Sequence, residues 1–235
     1  MTPSALPGSG GGGNGGSGAV APVQLDVQTH TNYAHPGDSP QGGKVASVKL
    51  DFDNDVVINL AGIPSCTATF TASTTIAQAW NTCGPGAGAA NNAYLSPPTA
   101  VSGTVSTAPP ANFAGCDLVF KKSATSLLLF ARVTFAQTAN CGTPASNSTG
   151  NTTTLLTGSL VSIATPDYKT RLTVPLPATI PLALDDFKAR VKRASVFSAR
   201  CVDTNKLLHL KGLFTYTDSQ TEQPPDTVVR TKACT

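Results

Sequence analysis

Six cysteines, three histidines and a short run of aspartates are the residues of this 235-residue chain whose types could do chemistry. The cysteines are Cys66, Cys83, Cys116, Cys141, Cys201 and Cys234, and each stands 17 to 60 residues from the next. Zinc fingers and ribbons hold their ligands in close pairs so that two thiolates reach one ion, and no such pair occurs here. An even, widely spread set without Cys-x-x-Cys reads as disulfides, and therefore as an oxidising compartment. Proximity along the chain favours Cys66–Cys83, Cys116–Cys141 and Cys201–Cys234 among the connectivities that six cysteines allow. In the chain-entropy picture, closing the loop between Cys66 and Cys83 is worth ~3 kcal/mol.

The remaining reactive types lack partners in sequence. His30 and His35 lie in a polar Gly/Pro-rich loop with no carboxylate or thiol spaced to complete a metal set. Asp51, Asp53 and Asp55 imitate the opening of a calcium loop, but Val56 stands where the sharp turn needs glycine and Gly62 where the bidentate glutamate belongs. Aspartate and asparagine are also ordinary turn formers, and the segment reads as a turn. His209 is flanked by apolar residues in mid-strand, and no G-x-S-x-G nucleophile context exists in the chain. Asp185 and Asp186 are adjacent and so point apart on a strand. The glycine run near the start is not followed by GK[ST]. We therefore expect no enzyme activity, no cofactor and no metal, with an extracellular hydrolase as the last-ranked alternative.

What positions these residues should be β-structure. Charged residues make up 12% of the chain, about half the usual share, while Gly, Pro, Ser and Thr are plentiful beside 40% hydrophobic residues. That balance favours strands and turns. Residues 1–21 form a Gly/Ser/Pro linker without the apolar side chains needed to offset ordering. Residues 22–235 read as a single antiparallel β-sandwich domain, all-β, of about ten or more strands, disulfide-stapled and Ig-like in outline. Strands are expected at residues 23–27, 45–60 (two, joined at Asp53-Asn54-Asp55), 117–121, 127–136, 154–164 and 171–176. The run Leu127-Leu128-Leu129-Phe130 predicts a strand buried on both faces. Ile76, Ala79 and Trp80 at helical spacing, behind Thr74 as N-cap, predict one short helix. Trp80 is expected to cover a bridge or the core. Residues 84–115 should hold only short pieces, because Pro97-Pro98 and Pro109-Pro110 suit edges and loops.

The alternation is clearest from residue 187 onward. Phe187, Ala189, Val191 and Phe197 share one face and Lys188, Arg190, Lys192 and Arg200 the other, while Leu208, Leu210, Phe214 and Tyr216 oppose His209 and Lys211. Two such runs predict a hairpin through residues 202–206, closed against a third strand by Cys201–Cys234. Its outward row would gather Lys188, Arg190, Lys192, Arg193, Arg200 and Lys211 into a patch for an anionic ligand, or present a solvated face whose lysines discourage edge pairing. A net charge of +3 is too weak for nucleic acid to be the main partner.

Ile63-Pro64-Ser65-Cys66, Cys83-Gly84 and the tail through Phe187-Lys188-Ala189-Arg190-Val191-Lys192-Arg193, Phe197-Ser198-Ala199-Arg200-Cys201, Phe214-Thr215-Tyr216-Thr217-Asp218 and Cys234 are similar to a pattern seen in uncharacterised secreted, Cys-containing β-rich proteins of actinobacterial type. The resemblance covers residues 45–235 and departs from it at Gly86-Ala87-Gly88, where those proteins often carry G-T-G. It implies a bacterial extracellular compartment and a β-rich fold, and no reaction. In that setting the N-glycosylation patterns at Asn147 and Asn151 are idle. No span reaches the roughly 20 apolar residues of a membrane helix, and no signal peptide opens the chain, so we expect one to have been removed or missed. The expectation is a secreted or cell-surface module that binds or displays, alternatively a carbohydrate-binding or adhesive one, with cell-wall or extracellular polysaccharide as candidate partner.

Overall fold

A computed structural model describes residues 21–22, 25–30, 45–88, 90–105, 111–134, 152–176, 182–191, 193, 196–200, 207–216 and 226–233. Its strands are β1 (Ala21–Pro22), β2 (Leu25–His30), β3 (Val45–Asp53), β4 (Val56–Ile58), β5 (Tyr94–Val105), β6 (Ala111–Ser123), β7 (Ser126–Thr134), β8 (Thr152–Ser162), β9 (Tyr168–Pro175), β10 (Leu182–Val191), β11 (Phe197–Ala199), β12 (Leu207–Tyr216) and β13 (Asp226–Ala233), with one helix, α1 (Ile76–Cys83). The Gly-rich segment before Ala21, Cys141, Cys201 and Cys234 lie outside the described residues.

Ten strands make one antiparallel sheet in the order β13-β12-β3-β9-β8-β7-β6-β5-β10-β2, and β1-β11-β4 make a second, small one. Laid flat, the large sheet would be ~43 Å wide and the small one ~10 Å, from the ~4.8 Å strand spacing. Yet one contiguous core joins Leu50, Leu95, Val119, Leu129, Val174, Val191 and Leu210 of the large sheet to Val56, Ile58 and Phe197 of the small one. The large sheet is therefore curled around its partner as an open, unequal sandwich. Phe52 and Phe197, with ring centroids 5.8 Å apart, mark where the two layers meet.

The reverse face of the large sheet carries the helix. Along β6 and β7 the period-2 rule sends Val119, Leu127 and Leu129 inward and Cys116, Leu118, Phe120, Leu128 and Phe130 outward, where Phe70, Ile76, Ala79 and the two cysteines Cys66 and Cys83 cover them. This is the physical sense of the unbroken Leu127-Leu128-Leu129-Phe130 run: both faces are buried. The covering layer is held by the Cys66–Cys83 disulfide (Cα–Cα 5.6 Å) and by Cys66 N–H donating to Lys121 O at 2.8 Å. Cys116 is also disulfide-bonded.

Three expectations need correction. The helix starts one residue later than expected. Thr75 is the N-cap, in a capping box with Gln78, because Thr74 is engaged elsewhere: its carbonyl accepts from Arg132 Nη1 at 2.8 Å and Thr153 Oγ1 at 2.9 Å. Residues 94–105 form one 12-residue strand in mid-sheet instead of short pieces. The register passes from Ser96↔Val119 to Thr99↔Asp117, so Pro97 and Pro98 fall in a bulge where no ladder N–H is required.

Most consequentially, the expected hairpin between residues 187–199 and 208–216 does not form. β10 pairs with β5 and β2, β11 leaves for the small sheet, and β12 pairs with β3 and β13. Alternation marks a segment as a strand with one apolar face, but it carries no information on which neighbour will fill each edge.

Candidate functional site

The outward positions of β12, β3 and β9 form a ladder that antiparallel register fixes residue by residue. Leu213, Lys49 and Thr173 make one rung and Lys211, Asp51 and Arg171 the next, while Tyr168 of β9 pairs with Asp53 beyond a register shift. Inward, the same strands give Leu50, Phe52, Leu172 and Leu210 to the core. The polar ladder is thus the obligatory reverse of the apolar face.

Two carboxylates in it are almost completely covered, Asp51 at 2% and Asp53 at 3% exposure. Asp51 accepts both ends of the Arg171 guanidinium, from Nε at 2.6 Å and Nη2 at 2.8 Å, and this bond holds the guanidinium above its usual range. Asp53 accepts from the backbone N–H of Asp55 at 2.8 Å and of His209 at 2.8 Å, and its Oδ2 lies 2.9 Å from His209 Nδ1. The Tyr168 phenol is raised by burial first and then by the nearby charges of Asp167, Asp53 and Asp51. The aspartates that imitate a calcium loop therefore serve an arginine, a histidine and a turn. Among the described residues no group of three or more His, Cys, Asp or Glu could hold a metal ion.

An aspartate holding a histidine by Nδ1 is half of a nucleophile-activating relay. The relay needs a hydroxyl within hydrogen-bond reach of the other ring nitrogen. On this face Ser47 Oγ and Thr215 Oγ1 bond each other at 2.6 Å, and Thr215 is six residues from His209, roughly 20 Å along a strand. What the pair does chemically is fix the imidazole and satisfy a buried carboxylate.

A second cluster sits beside α1. Trp80 and Tyr94 meet edge to face with centroids 5.3 Å apart, both half-buried against the disulfide-bearing layer. Arg193 Nη1 donates to Asn92 O at 2.8 Å and Tyr94 O at 2.9 Å. Burial raises the Tyr94 phenol, and the Arg193 charge partly offsets this. Trp80 thus covers the layer as expected, while it and Tyr94 both remain partly exposed.

The cations expected to form one row are set apart by the topology. Lys188 and Arg190 are on β10, Arg200 follows β11, and Lys211 is on β12, with β3, β9, β8, β7, β6 and β5 between β12 and β10. Arg200 donates its N–H to Asp55 O at 2.9 Å, on the small-sheet side. Lys192 lies outside the described residues.

Sequence reasoning missed Asp117. It is 1% exposed on β6, and among the described residues neither carboxylate oxygen meets a hydrogen-bonding side chain. Desolvation pushes its carboxyl well above the usual range. A signal was present: in Cys116-Asp117-Leu118-Val119-Phe120 the period-2 rule puts Asp117 on the face of Val119. Compared with known proteins, the chain matches no family model, no curated protein and no solved structure.

Proposed function

We propose that this chain is a non-catalytic β-sandwich module of the extracellular space or cell surface, acting by binding or structural display. The observation that carries the reading is the closed pairing on the polar ladder: Arg171 occupies Asp51, and His209 is held by Asp53, with no hydroxyl bonded to its ring among the described residues. The Cys66–Cys83 disulfide and the resemblance to secreted actinobacterial proteins support the compartment. Within this reading the partly open Trp80–Tyr94 pair favours a carbohydrate ligand, since aromatic faces and edges supply apolar surface to sugar rings.

Mass-spectrometric disulfide mapping on protein exported by a native host, with a glycan array beside it, tests the proposal. Fully oxidised cysteines and a glycan signal weakened by Trp80→Ala are the expected results. Six free thiols, or a hydrolytic activity abolished by His209→Ala, would overturn it.

A further inference from the structure

The topology that splits the expected basic row assembles a different one. Lys49 and Lys211 stand on neighbouring strands in diagonal positions, Lys211 across from Asp51 and Lys49 across from Leu213. Side chains so related have Cβ atoms within about 7–8 Å, inside the reach of two lysine stems. Asp51, the acid between the cations of this rung, is already taken by a two-point bond to Arg171. Among the described residues, no carboxylate pairs with either ammonium group. Two like charges are therefore held close on one sheet face, and neither has an ion-pair partner among the described residues.

We infer that Lys49 and Lys211 form the anion-binding element of a docking surface for an acidic polysaccharide, a uronate carboxylate seating between the two ammonium groups. The inference rests on reading the chain as an extracellular binding module. Charge complementarity chooses the ligand, and its modest scale chooses the class. Two cations displace about two counterions, where duplex DNA binders engage roughly 6–10 phosphates. The flanking surface is half-exposed and mixed, with Leu213 and Thr173 in the rung of Lys49 and Ser47 and Thr215 beyond it. Apolar patches interleaved with hydroxyls suit a sugar ring between its charged groups.

The test is titration of the full chain with polygalacturonate at low and at physiological salt, with neutral galactan as control. Expected are salt-sensitive binding of polygalacturonate alone, and a loss of about tenfold or more in Lys49→Gln/Lys211→Gln from two missing charge-assisted bonds. Lys49→Arg/Lys211→Arg should retain binding, which separates a lost site from a lost fold. Unchanged affinity in the Gln pair, or equal binding of duplex DNA, overturns the assignment. Absence of polygalacturonate binding alongside a neutral glycan bound elsewhere overturns this site and leaves the module reading intact. If the cysteines of the exported protein prove free, the module reading itself fails.

Discussion

Asp117 offers the sharpest quantitative test of the fold. Its register partners are Thr99 on β5 and Ala131 on β7, and the only other charge on its face of β6, Lys121, is directed by Nζ bonds to Leu60 O and Ile63 O. The stretch of β5 facing Leu118 is Pro97-Pro98, which has no N–H to offer. Desolvation of this carboxyl outweighs the backbone hydrogen bond at Asp117 itself and favours the protonated form, and leaving such a polar group poorly satisfied costs about 1–3 kcal/mol. The sign of its pH effect follows by linkage. The folded carboxyl keeps its proton above the ordinary carboxyl range, whereas the unfolded one loses it. The native state thus binds more protons in that window, and stability falls as pH rises from about 4 until the folded group itself ionises. The slope from this residue approaches about 1.4 kcal/mol per pH unit.

Asp117→Asn keeps the shape and removes the titration. Urea unfolding of both proteins at several pH values between 4 and 7 isolates the residue, because every other group cancels in the difference. We expect the two to be within about 1 kcal/mol at pH 4, and the variant to be more stable by a growing margin toward pH 7, reaching about 1–3 kcal/mol. Parallel curves would refute the reasoning, as would an Asn variant that is the weaker protein at pH 7. Either result would mean that the carboxylate has a donor or a solvent path.

Two further substitutions probe the layers around it. Gly115→Ala would place a Cβ 2.3 Å from Arg132 O and 2.8 Å from Val133 Cα, both backbone atoms of β7, so the β6–β7 ladder must shift; we expect about 1–3 kcal/mol lost, and an unchanged urea midpoint would show that the ladder yields freely. Arg171→Ala strands Asp51 at 2% exposure. The broken pair should cost about 1–3 kcal/mol, below the fully buried case because the arginine is part-exposed. Asp51→Asn in that background should restore part of it, and a thermal midpoint that stays down would speak against an electrostatic origin.

Local chemistry was legible in the sequence wherever the contacts it demands are local. The Cys66–Cys83 loop, the short helix before Cys83, and the Asp53-Asn54-Asp55 turn all close within about twenty residues, and the unbroken Leu127-Leu128-Leu129-Phe130 run announced a strand buried on both faces. Long-range pairing was not legible. The Asp51–Arg171 bond spans 120 residues and the Asp53–His209 contact 156, and no pattern in either segment names the other. The same blindness produced the mistaken β10–β12 hairpin: both runs alternate well, and each edge of β12 is equally satisfied by β3 and β13.

Parity along a strand says where a charge must point, and topology alone decides what it meets. Asp51, Asp53 and Asp117 show the consequence. All three are aspartates in apolar strands, and all three are at most 3% exposed. Two find an arginine and a histidine because β9 and β12 flank β3. The third, opposite Thr99 of β5 and Ala131 of β7, finds neither. A buried carboxyl without a partner subtracts stability above its unfolded titration range. An advantage of Asp117→Asn that grows with pH would therefore read this topology from solution; an advantage independent of pH would mean that the β6–β5 bulge does not isolate Asp117.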